Sequence, residues 1–103
     1  MKKVLITGGN GGIAQAIKEN LEIEGYNVLA PSRIAMDVTS CESIEKVISE
    51  FKPDILVNNA GYVVPKSIKE GDLTNTKKHI DINLGGVFFC TQIALKYNPQ
   101  LEI

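Results

Sequence analysis

Four glycines fall within a five-residue turn near the N-terminus, and this turn restricts the possible folds more than any other feature. They are Gly8, Gly9, Gly11 and Gly12. A short apolar run, Lys3 to Thr7, precedes them and predicts a buried strand. Apolar residues at helical spacing follow, and Gly25 ends the predicted helix. The turn therefore joins a buried strand directly to a helix N-terminus.

Glycines at such a junction suit the binding of a phosphorylated ligand. The first backbone N–H groups of a helix have no partner within the helix, and the helix dipole attracts an anion to them. Residues without a Cβ let a pyrophosphate come close to these groups. We therefore predict a dinucleotide site at the turn, with the candidates Gly8, Asn10, Gly11, Gly12 and Ile13. A tight turn without a ligand, the alternative, would not need so many glycines.

The rest of the chain alternates strands with helices. The predicted strands cover residues 27–30 and 54–58, with a further one starting at 101–103. Thr39 and Glu42 form a capping pair that starts a second helix, and Pro53 stops it. A third helix is predicted from about Leu73 to Tyr97. This alternation predicts one α/β domain, residues 1–103, with a parallel sheet and helices on both faces.

Composition and cysteine usage exclude several classes of function. With 11 Lys+Arg and 12 Asp+Glu, the formal net charge is -1, which gives no basic surface for nucleic acid. No apolar run approaches the roughly 18 residues of a membrane span. Cys41 and Cys90 lack metal-ligand spacing, so we expect no metal site and reduced thiols in the cytoplasm. His79, which follows two lysines, is predicted to be a surface residue without a catalytic role.

Four segments resemble motifs of the short-chain dehydrogenase/reductase family. Residues 7–14, Thr-Gly-Gly-Asn-Gly-Gly-Ile-Ala, are similar to its Thr-Gly-x-x-x-Gly-x-Gly pattern, with Ala14 in place of the last glycine. The other three segments are Asp37-Val38, Asn58-Asn59-Ala60-Gly61 and Asn83-Leu84-Gly85-Gly86. All four stand in the family's order and together cover almost the whole chain.

The resemblance implies a Rossmann-like, doubly wound parallel sheet that is truncated near the start of the family's fifth strand. It also implies an NAD(P)-dependent oxidoreductase that moves hydride between a nicotinamide cofactor and a small carbonyl or alcohol substrate. The parent protein would be a homo-oligomer, because relatives usually associate through the helix that carries Asn83 and through later helices.

The resemblance assigns roles to individual residues as well. The matching cofactor-binding positions are Asp37, Val38, Asn59, Ala60 and Gly61. The first two would border the adenine, and the last three would approach the riboses. Asn83 would be catalytic, because the family's asparagine kinks its helix and helps to hold a proton-relay water. For two residues, a structural role stays open as the alternative to binding the ligand. Asp37 would cap a turn, and Asn58 would satisfy buried backbone groups.

The residues after the second strand bear on the choice of cofactor. An acidic residue about 20 positions beyond the glycines usually binds the ribose 2′-OH of NAD. Ser32 and Arg33 occupy that place here, and a guanidinium suits the 2′-phosphate of NADP. We therefore expect NADP in preference to NAD, with a solvated Arg33 as the alternative.

One segment departs from the family pattern. Parallel strands need a crossover of about a dozen residues, and residues 33–36 are too few to supply one. The family's third strand is therefore expected to be rudimentary or to be reached by a tight loop. A similar short cut occurs in dTDP-4-dehydrorhamnose reductases, which are extended relatives. The Asn-Asn-Ala-Gly and Asn-Leu-Gly-Gly segments nevertheless favour the ordinary short-chain type.

The family's catalytic Ser, Tyr and Lys have no match in the chain. Tyr62 and Lys66 have the required spacing of four, but they precede Asn83, which is the wrong order. Two functions stay open. The chain is the N-terminal part of a reductase whose other catalytic residues lie beyond Ile103, or it is a nucleotide-binding or regulatory module without turnover. By itself, the chain is expected to show no reductase activity.

Overall fold

The structure is a computed structural model that describes residues 1–103. Its strands are β1 (Lys3–Ile6), β2 (Asn27–Leu29) and β3 (Ile55–Val57). Its helices are α1 (Gly12–Ile23), α2 (Cys41–Phe51), α3 (Leu73–His79) and α4 (Gly86–Tyr97). A π-helical segment, Ile80–Gly85, joins α3 to α4, so the long helix predicted over residues 73–97 is present with one local change of winding. The α/β class predicted from the alternating pattern is confirmed.

The three strands form one parallel sheet in the order β2-β1-β3. In the middle of the sheet, Leu5 pairs with Leu29 on one side and with Leu56 on the other. The chain thus moves to one side of β1 and then to the other, which makes the carboxyl end of β1 a topological switch point, where ligands of such sheets bind.

The strand predicted to begin at residues 101–103 is present as a single parallel bridge. Glu102 bridges to Ile55 at the outer side of β3. The Leu56 N–H donates to the Glu102 carbonyl at 2.8 Å, and the Glu102 N–H donates to the Asp54 carbonyl at 3.0 Å. The sheet therefore continues beyond β3 in the parallel direction.

Both faces of the sheet are covered, as the sequence predicted. Successive residues of a strand point to opposite faces, and β1 is buried on both. On one face, α1 covers the cluster Val4, Ile6, Ala14 and Val28. On the other, α2 and α4 cover the larger cluster Leu5, Met36, Val38, Ile44, Ile48, Leu56, Ile82, Cys90 and Ala94. No helix in the structure has both the length and the apolar character needed to cross a membrane.

A tight turn replaces the family's third strand. Residues 33–35 form the turn, and the Met36 N–H donates to the Ser32 carbonyl at 2.9 Å. Met36 and Val38 then enter the core, where only 1% and 7% of their surfaces are exposed. Of the two arrangements that the sequence left open, the structure therefore has the tight loop. The turn brings apolar side chains to the sheet without a crossover helix.

The two cysteines are expected to differ strongly in their reactivity towards thiol reagents. Cys41 is exposed, whereas Cys90 is buried and burial raises the pKa of its thiol to about 12. Because the thiolate is the reacting form, a thiol-specific reagent at neutral pH should label Cys41 in the native protein and both residues in guanidinium chloride. Equal labelling rates in the native protein would contradict the packing of α4 described above.

Candidate functional site

The four glycines of the turn fall into two pairs, and the first pair is required by packing. Gly8 has a φ of +68°, and a Cβ there would lie 2.9 Å from the Ala60 Cα. A Cβ on Gly9 would lie 1.9 Å from the Ala30 carbonyl oxygen. The Gly9 N–H also donates to the Pro31 carbonyl at 2.8 Å. These two glycines let the turn lie directly against the ends of β2 and β3.

The second pair, Gly11 and Gly12, faces open space. A Cβ on Gly12 would meet no atom within 4 Å, and the nearest atom to one on Gly11 would be the Gly8 carbonyl at 3.6 Å. Gly11 caps α1 without a side-chain hydrogen bond, and the first turn has no acidic residue. Folding therefore does not require glycine at these positions, and the positive end of the α1 dipole is left unneutralised.

A cleft of about 330 Å³ lies in front of this pair. Its lining residues are Gly8, Gly11, Gly12, Ile13, Asn59, Ala60 and Gly61. They come from the carboxyl ends of β1 and β3 and from the start of α1, which meet at the switch point. The bare helix N-terminus, the absent Cβ atoms and the size of the cleft together suit a phosphate group held by backbone N–H donors.

Thr7 braces the two walls of this cleft, and the sequence analysis assigned no role to it. The residue is 1% exposed, and its Oγ1 accepts the N–H of Asn59 at 3.0 Å and that of Ala60 at 2.8 Å. One hydroxyl thus links β1 to the segment after β3. The only sequence signal was its position at the end of the strand, in the Thr-Gly pair of the motif.

The two asparagines after β3 both bind protein groups. The Asn59 side chain donates to the carbonyls of Thr7 at 3.1 Å and Gly8 at 3.4 Å, so it fixes the glycine turn. The Asn58 side chain donates to the Thr91 hydroxyl on α4 at 3.2 Å. Asn58 was expected either to bind a ligand or to satisfy buried backbone groups, and its partner here is a side chain. The backbone of residues 59–61 is left to line the cleft.

A smaller cavity of about 100 Å³ adjoins the cleft through the shared residue Gly61. Its lining residues are Arg33, Met36, Asp37, Val38, Gly61, Tyr62 and Ile82. The Asp37 Oδ1 accepts the N–H of Thr39 at 2.9 Å and its hydroxyl at 2.7 Å. These hydrogen bonds lower the pKa of Asp37, and the nearby Arg33 contributes in the same direction. Asp37 therefore caps a turn and lines a cavity at once.

Close packing explains one of the two glycines in the long helix. A Cβ on Gly86 would lie 2.8 Å from the Val38 Cγ2, so glycine lets α4 approach the loop after β2. A glycine inside a helix indicates either close packing or the approach of a ligand. The structure shows the packing.

Asn83 lies in the π-helical segment and holds the loop after β3. Its Oδ1 accepts the Tyr62 N–H at 2.8 Å, and its Nδ2 donates to the Tyr62 carbonyl at 2.8 Å. Segments of π-helix within α-helices are often found at functional sites. The side chain of Asn83 therefore orients Tyr62 and the neighbouring Gly61, which line the smaller cavity.

His79 is half-buried, so it is less exposed than the sequence predicted. Its Nε2 accepts the Val64 N–H at 3.0 Å, and its Nδ1 lies 2.7 Å from the Asn75 carbonyl. Its ring also meets the Tyr62 ring edge-on, with 4.9 Å between centroids. The sequence placed His79 in a polar stretch, but the loop over residues 62–64 folds back onto it.

Comparison with known proteins places the chain in a family. A family model described as the RmlD substrate binding domain matches residues 1–98. The chain belongs to this family. It therefore has the NAD(P)-binding Rossmann domain of the short-chain dehydrogenase/reductase type, extended members included, and the resemblance found in the sequence is confirmed.

Three similar proteins illustrate the relationship. The dTDP-4-dehydrorhamnose reductase of Aggregatibacter actinomycetemcomitans is 28% identical over 98% of this chain and 33% of its own length. The 3-oxoacyl-[acyl-carrier-protein] reductase of Aquifex aeolicus is 36% identical over 90% of this chain and 39% of its own length. A crystal structure of dTDP-4-dehydrorhamnose reductase from Bacillus anthracis in complex with NADP has a TM-score of 0.80 at 25% identity, over 93% of this chain and 33% of that one. The chain thus spans little more than a third of these relatives.

The structure brings most of the predicted family residues to one edge of the sheet. Those that line the cleft or the smaller cavity are Gly8, Gly11, Gly12, Ile13, Arg33, Asp37, Val38, Asn59, Ala60 and Gly61. Asn10 is exposed and lines neither. Ser32 also lines neither, and its Oγ accepts the Ala35 N–H at 3.3 Å within the tight turn. Nowhere do three or more His, Cys, Asp or Glu side chains come together to hold a metal ion.

Proposed function

We propose that residues 1–103 form the dinucleotide-binding unit of an NAD(P)-dependent oxidoreductase that acts on a small carbonyl or alcohol. The cleft at Gly11 and Gly12 carries this proposal, because the fold itself does not require glycine there. The dTDP-4-dehydrorhamnose and 3-oxoacyl-[acyl-carrier-protein] reductases among the relatives support the reaction class. The chain spans only part of their length, so we propose the oxidoreductase activity for the whole protein and only the binding of the dinucleotide for these residues.

The residues of the site fit a dinucleotide in three parts. The backbone at Gly11, Gly12 and Ile13 would receive the pyrophosphate, since the N–H groups of Gly12 and Ile13 have no partner within the helix and suit an anionic ligand. The smaller cavity, with Asp37 and Val38, would receive the adenine. The backbone of residues 59–61 would lie along the riboses. The nicotinamide, when bound, supplies the hydride chemistry.

Asn83 acts in this proposal as a positioning residue. Its amide holds Tyr62 through two hydrogen bonds of 2.8 Å each. The π-helical winding around Asn83 departs from the regular α-helical hydrogen-bond pattern. In the family, the kink at this asparagine would help to hold a proton-relay water. The family's Ser, Tyr and Lys are not matched here, so we propose that the chain by itself binds cofactor without turnover.

The tight turn after β2 favours an extended relative of the dTDP-4-dehydrorhamnose reductase type. The match to the RmlD family supports this assignment.

A non-catalytic nucleotide-binding module is the second candidate, and it is favoured by the missing Tyr and Lys. A homo-oligomeric parent fits the apolar side chains that the long helix exposes, which include Leu84 and Phe88, 56% and 57% exposed.

The proposal predicts saturable binding of NADPH and NADH to the chain, with NADPH the tighter ligand. Isothermal titration calorimetry measures both. Arg33→Ala should weaken NADPH by about tenfold and leave NADH unchanged, since only NADPH carries the 2′-phosphate. Lys46→Gln, an exposed cation on α2, serves as the control.

Two results would contradict the proposal. Absence of binding by either dinucleotide would rule out the dinucleotide site itself. Oxidation of NADPH by the purified chain with a panel of ketones would refute the expectation that it lacks turnover.

A further inference from the structure

A third cavity, of about 330 Å³, is lined mainly by positively charged and polar residues. It adjoins the smaller cavity proposed for the adenine, which is called the adenine cavity below. It is lined by Arg33, Thr39, Thr74, Lys77, Lys78, Asp81 and Ile82. Arg33 and Ile82 line the adenine cavity as well, so the two spaces are neighbours. Three cations and one carboxylate therefore meet in one cavity of a chain whose formal net charge is -1.

None of these three cations is in an ion pair. The ion pairs of the structure are Lys2 with Glu102 and Lys96 with Glu45, and neither includes a residue that lines this cavity. Asp81 lies on the same wall without reaching salt-bridge distance of either lysine. Like charges held close together raise one another's energy, and a bound dianion would relieve that repulsion.

Lys78 is fixed at the border of the two cavities. Its Nζ lies 4.4 Å from the centre of the Tyr62 ring, a cation–π contact. Tyr62 in turn lines the adenine cavity, and Asn83 holds its backbone. The ammonium group thus stands beside the proposed adenosine site instead of extending into solvent.

We propose that Lys77 and Lys78 on α3 join Arg33 in binding a phosphate monoester dianion, the 2′-phosphate of NADP(H). Residues of α3, together with Arg33 after β2, would then determine the preference for NADP over NAD. The hydroxyls of Thr39 and Thr74 add neutral donors on the same walls. The inference rests on the proposed function, because it requires the adenosine to occupy the neighbouring cavity.

The test compares NADPH with NADH on matched charge variants. Lys77→Gln and Lys78→Gln should each weaken NADPH binding by about tenfold, as expected for loss of a charge-assisted contact, with NADH affected less than about twofold. Lys46→Gln removes the same charge from α2 and should change neither. Lys78→Arg keeps the positive charge and should bind NADPH nearly as tightly as the unaltered chain. Comparison with Lys78→Gln then separates the effect of the charge from that of the packing against Tyr62.

Smaller probes identify the source of the phosphate. Adenosine 2′,5′-bisphosphate should bind more tightly than 5′-AMP, and this difference should shrink in both lysine variants. If inorganic phosphate alone binds as tightly as the bisphosphate, the cavity is a general phosphate site and the assignment to NADP fails.

The outcomes for the inference and for the proposed function are distinct. If NADPH and NADH weaken equally in the variants, or if neither changes, the lysine assignment is wrong while dinucleotide binding stands. If the unaltered chain binds neither dinucleotide, both proposals fall together.

Discussion

Alanine at Gly9 is expected to destabilise the chain strongly, whereas alanine at Gly12 leaves it at least as stable as before. The new Cβ at Gly9 would lie 1.9 Å from the Ala30 carbonyl oxygen and 2.4 Å from its carbon. Backbone atoms at the end of β2 cannot move away without breaking the contact between the turn and the sheet. We expect a loss of about 3 kcal/mol or more, a large fraction of the stability of a small domain.

Gly12 is the matched control, since it lies in the same turn and gains the same methyl group. A Cβ there would meet no protein atom within 4 Å, and Gly12 is the first residue of α1. Alanine is the better helix former, so stability should stay the same or rise by up to about 1 kcal/mol. The methyl group would nevertheless stand in the cleft, and NADPH affinity should fall by about tenfold or more.

Urea unfolding followed by circular dichroism measures the first effect, and calorimetric titration of the Gly12 variant measures the second. Stability and binding should therefore change in opposite directions at Gly12. A Gly12→Ala protein that is stable and binds NADPH as tightly as the unaltered chain would show that the cleft does not hold the pyrophosphate. A Gly9→Ala protein as stable as the unaltered chain would show that the turn lies further from β2 than described.

Sequence reasoning identified the glycine turn but could not divide its glycines by role. All four look alike in a pattern, and the difference between Gly9 and Gly12 depends on which backbone lies opposite each Cα. The same limit applies to Gly86, whose need for a bare Cα arises from Val38, 48 residues earlier in the sequence. Such contacts depend on the packing of distant segments and leave no local periodicity.

The alternation of strands and helices, by contrast, was readable because it follows from local pattern. The apolar runs of β1 and β3 indicated the parallel strands. The predicted capping pair of Thr39 and Glu42 was wrong, because Ser40 caps α2 and accepts the Ser43 N–H at 3.2 Å, while the Thr39 hydroxyl donates to Asp37. The tight turn after β2 was left open between two arrangements, since the number of residues excluded a crossover helix without showing where Met36 would go. The partial burial of His79 was not predicted, because polar neighbours in sequence do not reveal a loop that folds back over a side chain.

Thr7 is the site residue that the sequence analysis missed, and its replacement by valine is expected to have the second large effect. Valine has nearly the shape of threonine, but it cannot accept the N–H groups of Asn59 and Ala60. An unsatisfied buried donor costs about 1–3 kcal/mol. Because both N–H groups lose the acceptor that they share, we expect a loss of about 2–4 kcal/mol in the free energy of unfolding.

Thr7→Ser is the matched control, because it keeps the hydroxyl and removes only a methyl group, a loss of about 1 kcal/mol. The valine variant should therefore be less stable than the serine variant, although valine is the more apolar residue. Amide hydrogen exchange followed by NMR gives a local readout, since the amide protons of Asn59 and Ala60 should exchange faster in the valine variant alone.

Binding should follow the same order, because Thr7 holds the wall of the cleft that would lie along the riboses. NADPH affinity should drop in Thr7→Val and stay close to the original value in Thr7→Ser, measured where both variants are folded. If serine proves the more harmful change, or if exchange at Asn59 and Ala60 is the same in both variants, the hydroxyl does not brace the cleft. In that case, the Asn59 side chain, which reaches the Thr7 and Gly8 carbonyls, would be the main link between the walls.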